Sequence, residues 1–159
     1  MGKIIGGTTS TTMRVPKWEL FADVTLSADE QWHDITLDKP YKEVYVEGAF
    51  VISTTASAKT IYMRVGNGST VIAVTAAISS AANGDTVYYR ANGKIAPSGK
   101  YVFESAAAKS VNTANVTINC GDADSSVVDS FDGMNMRLRT SDHTNFLLGA
   151  GSTIKVWGR

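Results

Sequence analysis

A chain of 159 residues fits a single domain, one that buries roughly two-thirds of its unfolded surface and needs neither disulfides nor a structural metal. Fifteen basic and fifteen acidic side chains cancel, which speaks against the basic face a phosphate backbone demands and so against nucleic acid as a partner. Charged residues are 19% of the chain, below the usual quarter, while Thr, Ser, Ala, Gly and Val abound, the composition of strands and turns under a hydroxyl-rich surface.

Residues 1–16 read as a flexible N-terminal arm: Gly2, Gly6 and Gly7, a Thr/Ser run, then Arg14-Val15-Pro16, with little to bury. Either the arm is a disordered start, or it docks on a partner or neighbouring subunit with Ile4 and Ile5 as anchors. No apolar run suits a signal peptide, Gly6 breaks the myristoylation pattern, and no window approaches a transmembrane span. Production in the cytoplasm without membrane insertion is therefore expected.

Residues 17–159 read as one β domain. Ala22, Val24 and Leu26 alternate from Trp18 onward, and Ser27 to Glu30 make a turn. Over Trp32 to Leu37, His33, Ile35 and Leu37 take one side and Trp32, Asp34 and Thr36 the other. Asp38-Lys39-Pro40 is the next turn. The longest pattern, Lys42 to Thr54, sets Val44, Val46, Gly48, Phe50 and Ile52 against Glu43, Tyr45 and Glu47, and Gly48 signals a bulge or a close backbone approach. Ala58 to Val65 and Thr70 to Thr75 pair across Gly66-Asn67-Gly68. Ala76 to Ala82 reads equally as a helical turn or a loop. Asn83-Gly84-Asp85 is a turn, Thr86 to Ala91 a strand, and Asn92-Gly93 opens a loop through Pro97 to the strand at Lys100 to Ser105. Ala114 to Cys120 follows, with Cys120 in step with Val116 and Ile118 as a small buried apolar residue, and Ser125 to Asp129 is a short edge. Met134, Met136 and Leu138 then alternate with Asn135, Arg137 and Arg139; Phe146-Leu147-Leu148 is a short apolar run; and Ile154 and Val156 make a final core strand. About ten short strands with turn signals every 8–12 residues predict an all-β antiparallel sandwich or barrel.

Catalytic signals are sparse. His33 and His143 each adjoin an aspartate, but neighbours on a strand point to opposite faces, and no G-x-S-x-G elbow occurs. Glu43 and Glu47 stand about 13 Å apart on a strand, too far for a glycosidase pair needing roughly 5–9.5 Å. The Gly121 to Ser126 loop offers Asp122 and Asp124 as candidate calcium ligands but lacks the glycine and closing glutamate of an EF-hand, so an ordinary turn is the simpler account. No cofactor is expected. The aromatics say more. Trp32, Tyr45, Tyr88 and Trp157 fall on faces opposite the main apolar stripe, beside polar residues, where aromatic planes grip sugar rings or partner proteins; packing or interface burial is the competing explanation.

The arm ahead of Arg14-Val15-Pro16-Lys17-Trp18, the unit Ala22 to Gly48 and the closing Gly149 to Gly158 resemble small structural and receptor-binding proteins of bacteriophage tails. That resemblance implies a jelly-roll-like β-sandwich in a non-enzymatic, homotrimeric virion protein at the tail tip, fibre or baseplate, contacting other virion proteins and a cell-surface glycan. A head-decoration protein of the capsid and a stand-alone carbohydrate-binding module are the alternatives, and a small hydrolase using His33 or His143 comes last.

Overall fold

The computed structural model describes residues 17–53, 59–67, 70–78, 82–109, 117–121, 130–140 and 147–159. The arm with Ile4 and Ile5, the edge expected over residues 125–129, and Asp122, Asp124 and His143 lie outside these residues. The described residues form eleven strands: β1 (Glu19–Thr25), β2 (Trp32–Thr36), β3 (Glu43–Ser53), β4 (Lys59–Asn67), β5 (Thr70–Ile78), β6 (Thr86–Ile95), β7 (Tyr101–Lys109), β8 (Thr117–Gly121), β9 (Asn135–Thr140), β10 (Leu147–Leu148) and β11 (Thr153–Gly158).

Two antiparallel sheets result. The larger runs β1-β11-β3-β6-β7-β8, with β10 beside one end of β3; the smaller runs β2-β9-β4-β5. The chain crosses between the sheets at β1-β2, β2-β3, β3-β4, β5-β6, β8-β9 and β9-β10, so β1-β11-β3-β6 faces β2-β9-β4-β5, the paired Greek keys of a jelly roll. The β7-β8 hairpin widens one edge. The fold is the all-β, jelly-roll-like sandwich that the strand pattern and the resemblance lead one to expect.

Period-two alternation builds the core. β3 buries Val44, Val46, Phe50 and Ile52, β9 buries Met136 and Leu138, and β11 buries Ile154 and Val156 between the layers. Tyr101, Phe103 and Phe131 meet edge-on at one end, with ring centroids 5.6 to 6.4 Å apart. Tyr89 sits in the same interior, where Ser105 and the Met63 backbone serve its hydroxyl; burial pushes that hydroxyl well above its ordinary pKa.

Three local expectations are corrected or resolved. Asn92-Gly93 is no turn: both residues lie inside β6, and Gly93 pairs with Val44 and with Phe103. The Phe103 ring lies so close over Gly93 that a Cβ there would overlap it. At Gly48 the register stays continuous with β11 and β6, and the Phe50 ring covers the glycine, so close approach is the reason for it and not a bulge. Ala76, Ala77 and Ile78 belong to β5, where pairing with Ile61, Thr60 and Lys59 overrides their weak local preference.

Asp29 ties the loop before β2 to the rest. Its carboxylate accepts a hydrogen bond from the Ser53 hydroxyl and another, at 2.9 Å, from the Ala150 amide, and these two bonds, the Ser53 one foremost, hold its pKa below the usual range. A depressed native pKa contributes stability above the unfolded value of about 3.9, and the contribution disappears as pH falls through the native value. Melting temperatures at pH 5 and pH 3 should therefore differ less in Asp29→Asn than in the parent. Gly93→Ala is expected to cost about 1–3 kcal/mol in urea unfolding by overpacking Phe103, although alanine is the better strand residue.

Candidate functional site

The outer face of the larger sheet follows from the register. On β3 it carries Glu43, Tyr45, Glu47 and Ala49; opposite them on β6 stand Lys94, Asn92, Arg90 and Tyr88. β7 continues the same rows with Val102, Glu104, Ala106 and Ala108. On the other side, Trp157, Lys155 and Thr153 of β11 stand opposite Tyr45, Glu47 and Ala49. On β1 a register irregularity between Leu20 and Ala22 aligns Leu20 with Trp157 and Asp23 with Lys155. That slip turns Leu20 and Trp18 to the outside, while Ala22 and Val24 face the core.

Side chains at one end of this face form an aromatic cluster. Tyr45 lies 5.6 Å from Trp157 and 6.4 Å from Trp18, centroid to centroid, and the Arg159 guanidinium caps Trp18 at 4.7 Å. Arg159 is held in turn by Glu43, its Nε donating at 2.7 Å. The Tyr45 hydroxyl donates to Glu47 at 2.7 Å; burial first, and that acceptor second, raise its pKa. At the far end Tyr88 stands 54% exposed above a floor of alanines.

Three depressions join these ends. One of about 420 Å³ lies among Trp18, Tyr45, Asn92 and Trp157. A second of about 310 Å³ shares Tyr45 and Asn92 with it and adds Arg90, Glu104 and Ala106. A third of about 570 Å³ shares Arg90 and Ala106 with the second and reaches Ala49, Tyr88, Ala108 and Lys155. Shared lining residues make them one groove crossing the strands obliquely. From Tyr45 to Tyr88 it spans ~14 Å, four residues along and one strand across. Among the described residues the side chains of Arg90, Asn92 and Glu104 make no hydrogen bond or ion pair, and all three are exposed. Ala49, Ala106 and Ala108 form the low floor beside the longer Tyr88 and Arg90 of the same rows.

Of the candidate residues, Tyr45, Tyr88 and Trp157 come together on this face. Trp32 does not. It lies on β2 of the smaller sheet, 37% exposed, with Arg137 stacked 4.8 Å above its ring. Trp18, Arg90, Asn92 and Glu104 were not singled out from the sequence. Trp18 was hidden by the β1 slip, which reverses inside and outside, and Asn92 by its resemblance to half of an Asn-Gly turn. Of the two histidines, His33 bonds Glu30 through Nδ1 at 2.8 Å at the margin of the smaller sheet, and no nucleophile joins that pair among the described residues. No group of three metal-ligating side chains occurs among the described residues.

No family model matches the chain, and no curated protein does. A solved structure of scytalido-glutamic peptidase with a peptide-based transition-state analogue aligns with 80% of this chain and 74% of its own, at 9% identity and a TM-score of 0.38. The expectation of a phage virion component is withdrawn: the comparisons supply this peptidase structure and no phage relative. At that distance the likeness transfers no activity and no residues.

Trp157 is half-buried between Tyr45 and β1, so Trp157→Ala should lower stability by about 1–2 kcal/mol in urea unfolding while Trp157→Phe loses less than half of that.

Proposed function

We propose that the outer face of the larger sheet binds an extended saccharide chain. The observation that carries this reading is the oblique groove itself: aromatic planes stand at both ends, and Arg90, Asn92 and Glu104, whose side chains have no partner among the described residues, line the middle. Aromatic rings stack on the apolar faces of sugar rings, and amide, carboxylate and guanidinium groups bond the hydroxyls around their rims. The acids Asp23, Glu43, Glu47 and Glu104 are matched on this face by Arg90, Lys94, Lys155 and Arg159, which leaves no net pull on a polyanion. A groove of this length suits several linked sugars better than one.

A glycan array identifies the ligand, and calorimetry with the best binder measures affinity. Tyr88→Ala and Asn92→Ala should each weaken binding about tenfold, the loss of one stacking or hydrogen-bonding contact, with melting temperature unchanged. Trp32→Ala should bind as the parent does, and the monosaccharide should bind far more weakly than the oligosaccharide. An array without binders, or full affinity in Tyr88→Ala, overturns the reading.

A further inference from the structure

The smaller sheet presents a second outer face whose charge is not balanced. Along β9, Asn135, Arg137 and Arg139 alternate with buried Met136 and Leu138. Arg137 pairs on one side with Asp34 of β2 and on the other with Arg64 of β4. Arg139 pairs with Trp32 and with Tyr62. Asp34 is the only acidic residue on the four strands of this sheet, and it is already committed: Arg137 Nε and one terminal nitrogen donate to its two oxygens, each at 2.6 Å. That fork fixes Arg137, and the Trp32 ring, also on β2, packs against its guanidinium at 4.8 Å.

Arg64 is the residue this arrangement leaves unexplained. It is half-buried and stands directly across from a fixed cation on the next strand, and its side chain makes no hydrogen bond or ion pair among the described residues. Like charges directly opposite on neighbouring strands destabilise a sheet, with Cβ atoms only about 4.5–5.5 Å apart. A guanidinium presents five N–H donors in a planar fork, so Arg137 keeps donors to spare after binding Asp34. An anion between the two arginines would take those donors and remove the repulsion at once.

We infer that Arg64 and Arg137, with Arg139 beside them, form a binding site for a tetrahedral oxyanion, a sulfate or phosphate group. Two forks on adjacent strands can each hold a different pair of oxygens on one tetrahedral group. A carboxylate has two oxygens, which one fork suffices to engage, as Asp34 shows. The site lies on the opposite outer face from the saccharide groove and does not depend on it.

The test titrates sodium sulfate and sodium phosphate into the protein at constant ionic strength, with sodium chloride as the reference, following the arginine Nε–H signals by NMR. Saturable shifts at Arg64 and Arg137, absent with chloride, are expected. Arg64→Ala should weaken sulfate binding about tenfold, the loss of one charge-assisted contact, and Arg64→Lys should fall between. A sulfated dextran and a neutral dextran, run alongside, separate a free anion from the same group on a polymer: tighter binding of the sulfated polymer alone assigns the polymer. Stability supplies the independent readout. In chloride, Arg64→Gln should melt above the parent because repulsion is relieved, and in saturating sulfate the order should reverse. Equal shifts with chloride and sulfate, or an unchanged melting order in the two salts, overturn the proposal.

Discussion

β11 hydrogen-bonds to β1 on one side and to β3 on the other, and much of the molecule rests on that insertion. Without it β1 has no partner among the described strands, and β3 exposes a full row of amides and carbonyls along its longest run. Ile154 and Val156 carry the core across the join, while Trp157 and Lys155 carry the outer face. The contact is as non-local as this chain allows, since β1 and β11 are separated by nearly the whole sequence. Sheets built this way fold late and cooperatively, because loop closure precedes any return from pairing. The aromatic end of the groove therefore exists only in the assembled sandwich.

The same join explains how the groove acquires its shape. Cross-strand neighbours on one face of an antiparallel pair stand close enough to touch, so Trp157 beside Tyr45, and Lys155 beside Glu47, follow from register alone. The slip on β1 then adds Trp18 to the cluster. A strand in perfect period would have put Trp18 with Ala22 and Val24, pointing inward, where an indole beside Phe21 and Tyr41 would overfill the core. One irregular residue pair moves it outside, where Arg159 can lie over it.

Most of the fold could be read from the sequence wherever alternation is strict and glycines sit in turns. β3, β9 and β11 follow their apolar patterns residue for residue. Alternation failed as a guide where a glycine served packing instead of turning. Gly93 follows an asparagine and imitates a hairpin turn, yet its lack of a side chain is what admits the Phe103 ring. It failed again over Ala76 to Ile78, whose small residues have little preference of their own and take the strand geometry β4 imposes. For the site, face parity placed Tyr45, Tyr88 and Trp157 outside correctly, but parity says nothing about which sheet a strand joins. Trp32 obeys the same parity and ends on the other side of the sandwich, because β2 crosses to the smaller sheet.

A chain of zero net charge can still hold two outer faces of different electrostatic character. On the larger sheet Asp23, Lys155, Glu47 and Arg90 alternate in sign across four strands and Glu43 faces Lys94, so the field beyond the surface is weak. On the smaller sheet Arg64 and Arg137 stand side by side with one committed aspartate among the described residues, and the excess is local. Exposed charges further apart than about 8–10 Å are largely screened at physiological salt, so the surplus acids elsewhere on the molecule do little to quench that patch. Two sheets packed face to face stand ~10 Å apart, which sets the two outer surfaces beyond the range at which substitutions usually couple. Ligand occupancy on one face should then leave affinity on the other unchanged, and a change would mean that the core transmits strain between the sheets.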